Sequence, residues 1–243
     1  MARICKESQV RTVAYMHGRF NEFHVGVSHS HFDYYLVWSE YFKEKLLSLN
    51  KYYRRNQIIN TGHFRFSLST SKKSLQPLKK GNIALIGESN LDYEEIIPFW
   101  LHIIRMGKYN VFFRGKPGAN PSVEKFIGEQ GIEILNSQAY FDFLLSNRIS
   151  TVIGTHSTAL MESWLVGVPS LALKSSYDYG AHLWEDGLVA LCSDFSELES
   201  ELDRLHSLSP DQLNQQARKL WNPQDENGNR RLFGALNELV LNV

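Results

Sequence analysis

The chain has 243 residues, with 26 basic side chains set against 26 acidic ones and an apolar fraction of 43%, enough for one large domain or two small ones with a sizeable core. The even charge gives no global drive toward nucleic acid or anionic lipid, and nothing in the composition indicates disorder. The two cysteines, Cys5 and Cys192, are far apart and lack a CxxC partner, so neither a disulfide framework nor a zinc site is suggested and a reducing compartment fits.

No segment reaches the run of about 18 apolar residues that a spanning helix requires, and the N-terminal MARICKESQV has no apolar signal core. The expected location is the cytoplasm, including the inner membrane face as a peripheral position, with no transmembrane segment.

Short β-branched or aromatic runs alternate with longer amphipathic segments, the pattern of βα units around a mostly parallel sheet. The first strand is predicted at Thr12–Met16, followed by a sharp turn at His17-Gly18. A second, Tyr34–Trp38, leads into a helix over Glu40–Leu47, and a third, Gln57–Asn60, runs into Thr61-Gly62-His63. Ser67–Lys80 is rich in serine and lysine and reads as a linker.

Beyond it, a buried strand Asn82–Ile86 ends in Gly87-Glu88-Ser89-Asn90, and an apolar helix covers Tyr93–Met106. Strand Asn110–Phe113, the loop Arg114-Gly115-Lys116-Pro117-Gly118, helix Ser122–Gln130, strand Ile132–Leu135 and helix Gln138–Asn147 follow. Strand Thr151–Ile153 meets Gly154-Thr155-His156-Ser157-Thr158, which opens helix Ala159–Val166, and Gly167-Val168-Pro169 ends it. Strand Ser170–Leu173 and helices Phe195–Leu208 and Asn229–Leu241 complete the prediction.

The expected division is therefore residues 1–80, the tail of an incomplete α/β domain plus a linker, and residues 81–243, a doubly wound parallel-sheet domain of Rossmann type. The first part holds too little to close a sheet covered on both faces.

The strongest chemical signal is VIGTHSTALMESWLVGVP, residues 152–169. A buried strand delivers Gly154, whose missing side chain allows close backbone approach. Thr155, Ser157 and Thr158 then open a helix whose N–H groups lie where open α/β sheets bind ligands. A phosphate there would gain hydrogen bonds and the helix dipole. Glu162, one turn beyond Thr158, is placed to accept bonds from ribose hydroxyls. The same residues also suit a plain helix cap with a solvated Glu162.

This segment resembles the strand, small-residue and helix motif, with its glutamate and G-x-P, of the C-terminal domain of GT-B-fold glycosyltransferases. It is similar also to that of the UDP-N-acetylglucosamine 2-epimerases and CDP-glycerol glycerophosphotransferases. HG at 17–18, YYLVWSEYFKEKL at 34–46, INTGHFRF at 59–66 and NIALIGES at 82–89 occur in the order such proteins show.

The resemblance implies Ser157 and Thr158 for donor phosphate, Glu162 for ribose, and Gly87 and Glu88 on a loop facing a cleft between domains. His156, inside the helix-start motif, is placed to touch the donor. His17 takes by resemblance the role of a base on the acceptor hydroxyl, against a plain turn histidine. Arg114 and Lys116 are cations for a diphosphate or a sugar carboxylate; the relatives carry a histidine where Lys116 stands.

No HxxxH or HExxH spacing is present, so no metal is expected. The basic end of the helix near Arg54 and Arg55 reads as a solvated C-terminus, not a nucleic-acid surface.

These readings imply a metal-independent glycosyltransferase without a cofactor. It would move a sugar or sugar-like group from a nucleotide-activated donor to an acceptor glycan or lipid-linked saccharide in surface polysaccharide biosynthesis. A second copy or a partner chain would supply the missing domain. The alternatives are a nucleotide-sugar epimerase or hydrolase, or a non-catalytic nucleotide-binding subunit or remnant.

Overall fold

The structure, a computed structural model, describes residues 10–16, 18, 25–29, 31–63, 81–88, 92–116, 120–177, 181–221 and 228–241. His17, Ser89 and the linker segment 64–80 lie outside them. The chain forms two compact units, residues 1–70 with 217–243, and residues 71–216.

The first unit contains β1 (Val13–Tyr15), the one-turn α1 (Val25–Ser28), β2 (Tyr34–Val37), α2 (Glu40–Leu49) and β3 (Ile58–Asn60). The three strands are parallel in the order β1-β2-β3, with Tyr35 opposite Ala14 on one side and Ile58 on the other. Central β2 is apolar because neither face meets water: Tyr35, Leu36 and Val37 are all buried. Helix α2 buries Phe42 and Leu46, one turn apart, and keeps Glu40 in its first turn, where a carboxylate favours the helix dipole.

Trp221 belongs to this core, its ring 5.1 Å from Trp38 and 5.0 Å from His63. Residues 217–243, expected with the second domain, therefore belong to the first unit. Sequence periodicity shows that a helix is amphipathic but not which core receives its apolar face.

The second unit alternates strand and helix: β4 (Asn82–Gly87), α3 (Tyr93–Arg105), β5 (Asn110–Gly115), α4 (Pro121–Glu129), β6 (Glu133–Ile134), α5 (Tyr140–Ser146), β7 (Thr151–Gly154), α6 (Thr158–Glu162), β8 (Ser170–Leu173), α7 (Ala181–Glu185), β9 (Ala190–Cys192) and α8 (Leu198–His206). Helix α9 (Pro210–Leu220) runs through the boundary at residue 217, and α10 (Gly228–Leu241) lies in the first unit. All six strands are parallel, in the order β6-β5-β4-β7-β8-β9. The first strand of the unit is thus central, and the winding reverses between β4 and β7, as in a doubly wound Rossmann-type sheet.

The local chemistry explains the boundaries. Asp92, Asn120 and Ser157 each cap a helix by accepting an N–H two residues on, from Glu94, Ser122 and Ala159, and Pro121 occupies the first turn of α4, where no donor is lost. The helix expected over Ala159–Val166 is α-helical only to Glu162 and tightens into a 3-10 turn over Ser163–Val166. The Ser163 and Ser170 hydroxyls both donate to the Leu160 carbonyl, competing with the regular ladder. Gly167 then ends the turn in the left-handed conformation, φ 71°.

Trp100 and Phe113 anchor the core between the sheet and α3, their rings 5.6 Å apart. Burial lifts the Cys192 thiol to about 11, a structural and inert cysteine. Among the described residues, no helix is long and apolar enough to cross a membrane, and no group of three histidine, cysteine or acidic side chains is placed to hold a metal.

Candidate functional site

Open parallel sheets present their strand ends, and with them convergent N–H groups, where the winding reverses. In this protein that position is the gap between the carboxyl ends of β4 and β7, occupied by Glu88 and by the loop Thr155-His156-Ser157.

Glu88 is fully buried. Its Oε1 accepts the backbone N–H groups of Thr155, His156 and Ser157 at 3.0, 3.0 and 3.1 Å and the Thr155 hydroxyl at 2.9 Å. Its Oε2 lies 2.9 Å from His156 Nε2 and 3.8 Å from Lys116 Nζ. Burial alone would raise this carboxyl. The close contact and positive potential of His156, then Lys116 and the Thr155 N–H, outweigh it and bring the pKa down to about 2.

The Glu88 backbone is clamped as well. Its N–H donates to the Tyr93 hydroxyl at 2.8 Å, and that hydroxyl donates back to the Glu88 carbonyl. Tyr93 opens α3, so the start of that helix fixes the carboxylate that fixes the β7–α6 loop.

The other expected residues distribute around this centre. Thr155, His156 and Ser157 are buried, and their N–H groups, expected to face a ligand, converge on Glu88. The Ser157 hydroxyl caps α6 through Ala159 N–H at 3.3 Å. Thr158 and Glu162 are half-buried at a four-residue spacing on α6, whereas Leu160 and Met161 point into the core. His156 meets the exposed ring of Tyr177 edge-on at 5.1 Å.

Arg114 is half-buried: its guanidinium donates to the carbonyls of Leu135 and Gln138 and lies over the rings of Tyr140 and Phe143. Lys116 is the exposed cation of this loop, 43% accessible.

Two glycines exchange roles. At Gly154, expected to permit close backbone approach, a Cβ would touch Ile86, Leu160 and Glu88 at 3.4 to 3.5 Å, ordinary contact. At Gly87 a Cβ would lie 2.5 Å from Phe113 Cζ and 3.3 Å from Gly115 Cα, so the side chain is excluded there by core packing.

Tyr93 and Tyr177 were not foreseen. Nothing in the spacing of Glu88 and Tyr93 distinguishes a clamp from a core tyrosine. Tyr177 follows β8 in a polar loop with no periodicity.

No protein-family model and no curated protein matches the chain. Solved structures do. S. aureus MnaA, solved with UDP, superposes with a TM-score of 0.63 at 14% identity over 100% of this chain and 73% of its own. The UDP-GlcNAc 2-epimerase of Methanocaldococcus jannaschii, in complex with UDP-GlcNAc and UDP, gives 0.63 at 15% identity over 98% of this chain and 72% of its own. The wall teichoic acid polymerase TagF soaked with CDPG gives 0.57 at 12% identity over 87% of this chain and 57% of its own.

The fold is that of GT-B glycosyltransferases and UDP-GlcNAc 2-epimerases. The resemblance carried by residues 152–169 and by the four shorter segments holds at the level of architecture, and the chain spans only part of each neighbour's length.

Proposed function

We propose that the chain is the nucleotide-sugar-handling part of a GT-B-type glycosyltransferase. It would transfer a sugar or sugar-like group to an acceptor glycan or lipid-linked saccharide in surface polysaccharide biosynthesis. The carrying observation is the hydrogen-bonded loop at the reversal point between β4 and β7, in a fold shared with proteins solved with UDP, UDP-GlcNAc and CDPG.

In this reading Thr158, the capped start of α6 and Lys116 receive the donor's phosphates, and Glu162 holds the ribose. Fixed dipoles and one cation would stabilise the departing phosphate without a metal. Arg114, held by two carbonyls, shapes the neighbouring loop, and the exposed charge falls to Lys116. His17 would take the proton of the acceptor hydroxyl. A second copy or a partner chain would complete the acceptor side, and the work would be done on the cytoplasmic face of the membrane.

Calorimetric titration with CMP, CDP, UDP and GDP tests this, comparing the natural protein with Thr158→Ala and Glu162→Ala. Binding of one nucleotide, weakened in both variants, supports the donor site and names its base. Absence of binding at millimolar concentration by a folded natural protein sinks it.

A second reading, a nucleotide-sugar epimerase or hydrolase, is favoured by the higher TM-score and coverage of the epimerase against TagF. It predicts a changed sugar when the nucleotide sugar is supplied without acceptor. A non-catalytic nucleotide-binding subunit would bind but turn over only with its partner.

A further inference from the structure

Three successive backbone N–H groups and a hydroxyl aimed at one point make an anion nest. In this protein the nest of Thr155, His156 and Ser157 encloses a carboxylate oxygen of the chain itself, 67 to 69 residues away in sequence. We infer that Glu88 is the positioning residue of the proposed nucleotide site: as an internal anion it holds the β7–α6 loop closed, so that Thr158 and Glu162 are set for a ligand that never touches Glu88. The inference rests on the donor-site reading for its ligand, and on the free protein alone for the clamp.

The alternatives make different demands. A ligand contact requires accessibility, and the Glu88 side chain is wholly buried. A plain packing residue needs no charge, whereas Glu88 Oε1 takes all four donors of the nest and Oε2, without a hydrogen bond of its own, lies within ion-pair distance of His156 and Lys116 at 2.9 and 3.8 Å. Removing the carboxylate leaves the nest donors without an acceptor, and a loop with unsatisfied buried N–H groups opens toward water.

The anchoring is also independent of the ligand's approach. The Glu88 backbone is held by the Tyr93 hydroxyl on both its N–H and its carbonyl in the free protein. The carboxylate is therefore placed before anything binds, which lowers the ordering cost that binding must meet.

The test uses the full chain and two variants, Glu88→Ala and Glu88→Gln. Amide hydrogen exchange of residues 155–157 in the free protein reads the clamp directly: in both variants exchange rises by about tenfold or more, consistent with loss of a charge-assisted acceptor. Titration with UDP and CDP reads the consequence, a loss of about tenfold in affinity for whichever nucleotide the natural protein binds. Sodium acetate, which supplies the deleted carboxylate, restores affinity and protection in Glu88→Ala but not in Glu88→Gln, where the amide still fills the space; sodium chloride restores neither.

Unchanged exchange at residues 155–157 in a folded Glu88→Gln overturns the inference. So does tighter nucleotide binding by Glu88→Ala, which would mean that Glu88 competes with the ligand's phosphate for the nest. Should Glu88→Ala not fold, Glu88→Gln, nearly the same in shape, carries the exchange and affinity arms. A natural protein that binds no nucleotide sinks the donor-site reading and the ligand half of the inference, while the exchange data still decide the clamp.

Discussion

Glu88 and Thr155 directly follow the neighbouring strands β4 and β7 of the second unit, and a single oxygen of Glu88 accepts both the N–H and the hydroxyl of Thr155, at 3.0 and 2.9 Å. A buried carboxylate that joins two strand ends is a pH-sensitive fastening, and its sign follows from the pKa. The carboxyl stands at about 2 in the folded protein against 4.5 for the unperturbed group. A depressed folded pKa contributes stability that is present above the unfolded value and is lost as pH falls toward the folded one. The stability of the natural protein against thermal unfolding is expected to fall between about pH 4.5 and 2 by on the order of 3 kcal/mol from this group. Glu88→Gln should lack that component; parallel melting curves for the two proteins across the window would refute it.

Tyr93→Phe removes one oxygen atom and leaves the ring contact with Trp100 at 5.7 Å intact. The Glu88 N–H and carbonyl, both in a buried setting, lose their partner. The expected cost is roughly 1 to 3 kcal/mol, read by urea denaturation. A change within experimental error would show that water replaces the hydroxyl.

Gly87→Ala and Gly154→Ala separate a packing glycine from a permissive one. The new methyl at 87 meets the Phe113 ring, itself buried against Trp100, at 2.5 Å and cannot be relieved by a surface rotation. A loss of about 1 to 3 kcal/mol is expected. At 154 the nearest atoms are at 3.4 Å, and less than about 1 kcal/mol is expected. Equal melting temperatures for the two variants would contradict this.

These contrasts mark what the sequence could reveal. Strand β8 is foreseen residue for residue because Ser170–Leu173 is a short apolar run bounded by Pro169, and α3 to within one residue at its end because its apolar positions recur at helical spacing over thirteen residues. Strand β9 escapes because three residues, Ala190–Cys192, carry too little pattern. Helix α9 escapes because PDQLNQQARKL has only two leucines to mark a face.

At the site, the loop Gly154–Thr158 is legible as small polar residues after a buried strand. Its occupant is not legible, because a nest for a phosphate and a nest for an internal carboxylate have the same local sequence. Only the register that sets Leu85 opposite Ile153 brings Glu88 to Thr155.

Arg114 and Lys116 illustrate the same limit, since both are cations two residues apart in one loop. Arg114→Ala removes two donated hydrogen bonds and the stacking on Tyr140 and Phe143, so a stability loss of about 1 to 3 kcal/mol is expected. Lys116→Ala removes an exposed charge and should change stability by less than about 0.5 kcal/mol while weakening nucleotide binding in calorimetry. The opposite pattern, a stable Arg114→Ala with lost binding, would return the ligand role to Arg114.

Trp221 tests the assignment of the C-terminal segment. It is 2% exposed, and its ring contacts Trp38, His63 and Phe42 of the first unit at 5.1, 5.0 and 6.4 Å. Trp221→Ala opens a cavity in that core, at a cost of about 3 to 5 kcal/mol. Because the two units have separate cores, the loss should fall on one of them. Amide exchange is expected to accelerate in β2 and α2 of the first unit, while β4 and β7 of the second keep their protection. Equal acceleration in β2 and β4 would mean that the units unfold together and that residues 217–243 stabilise the chain as a whole.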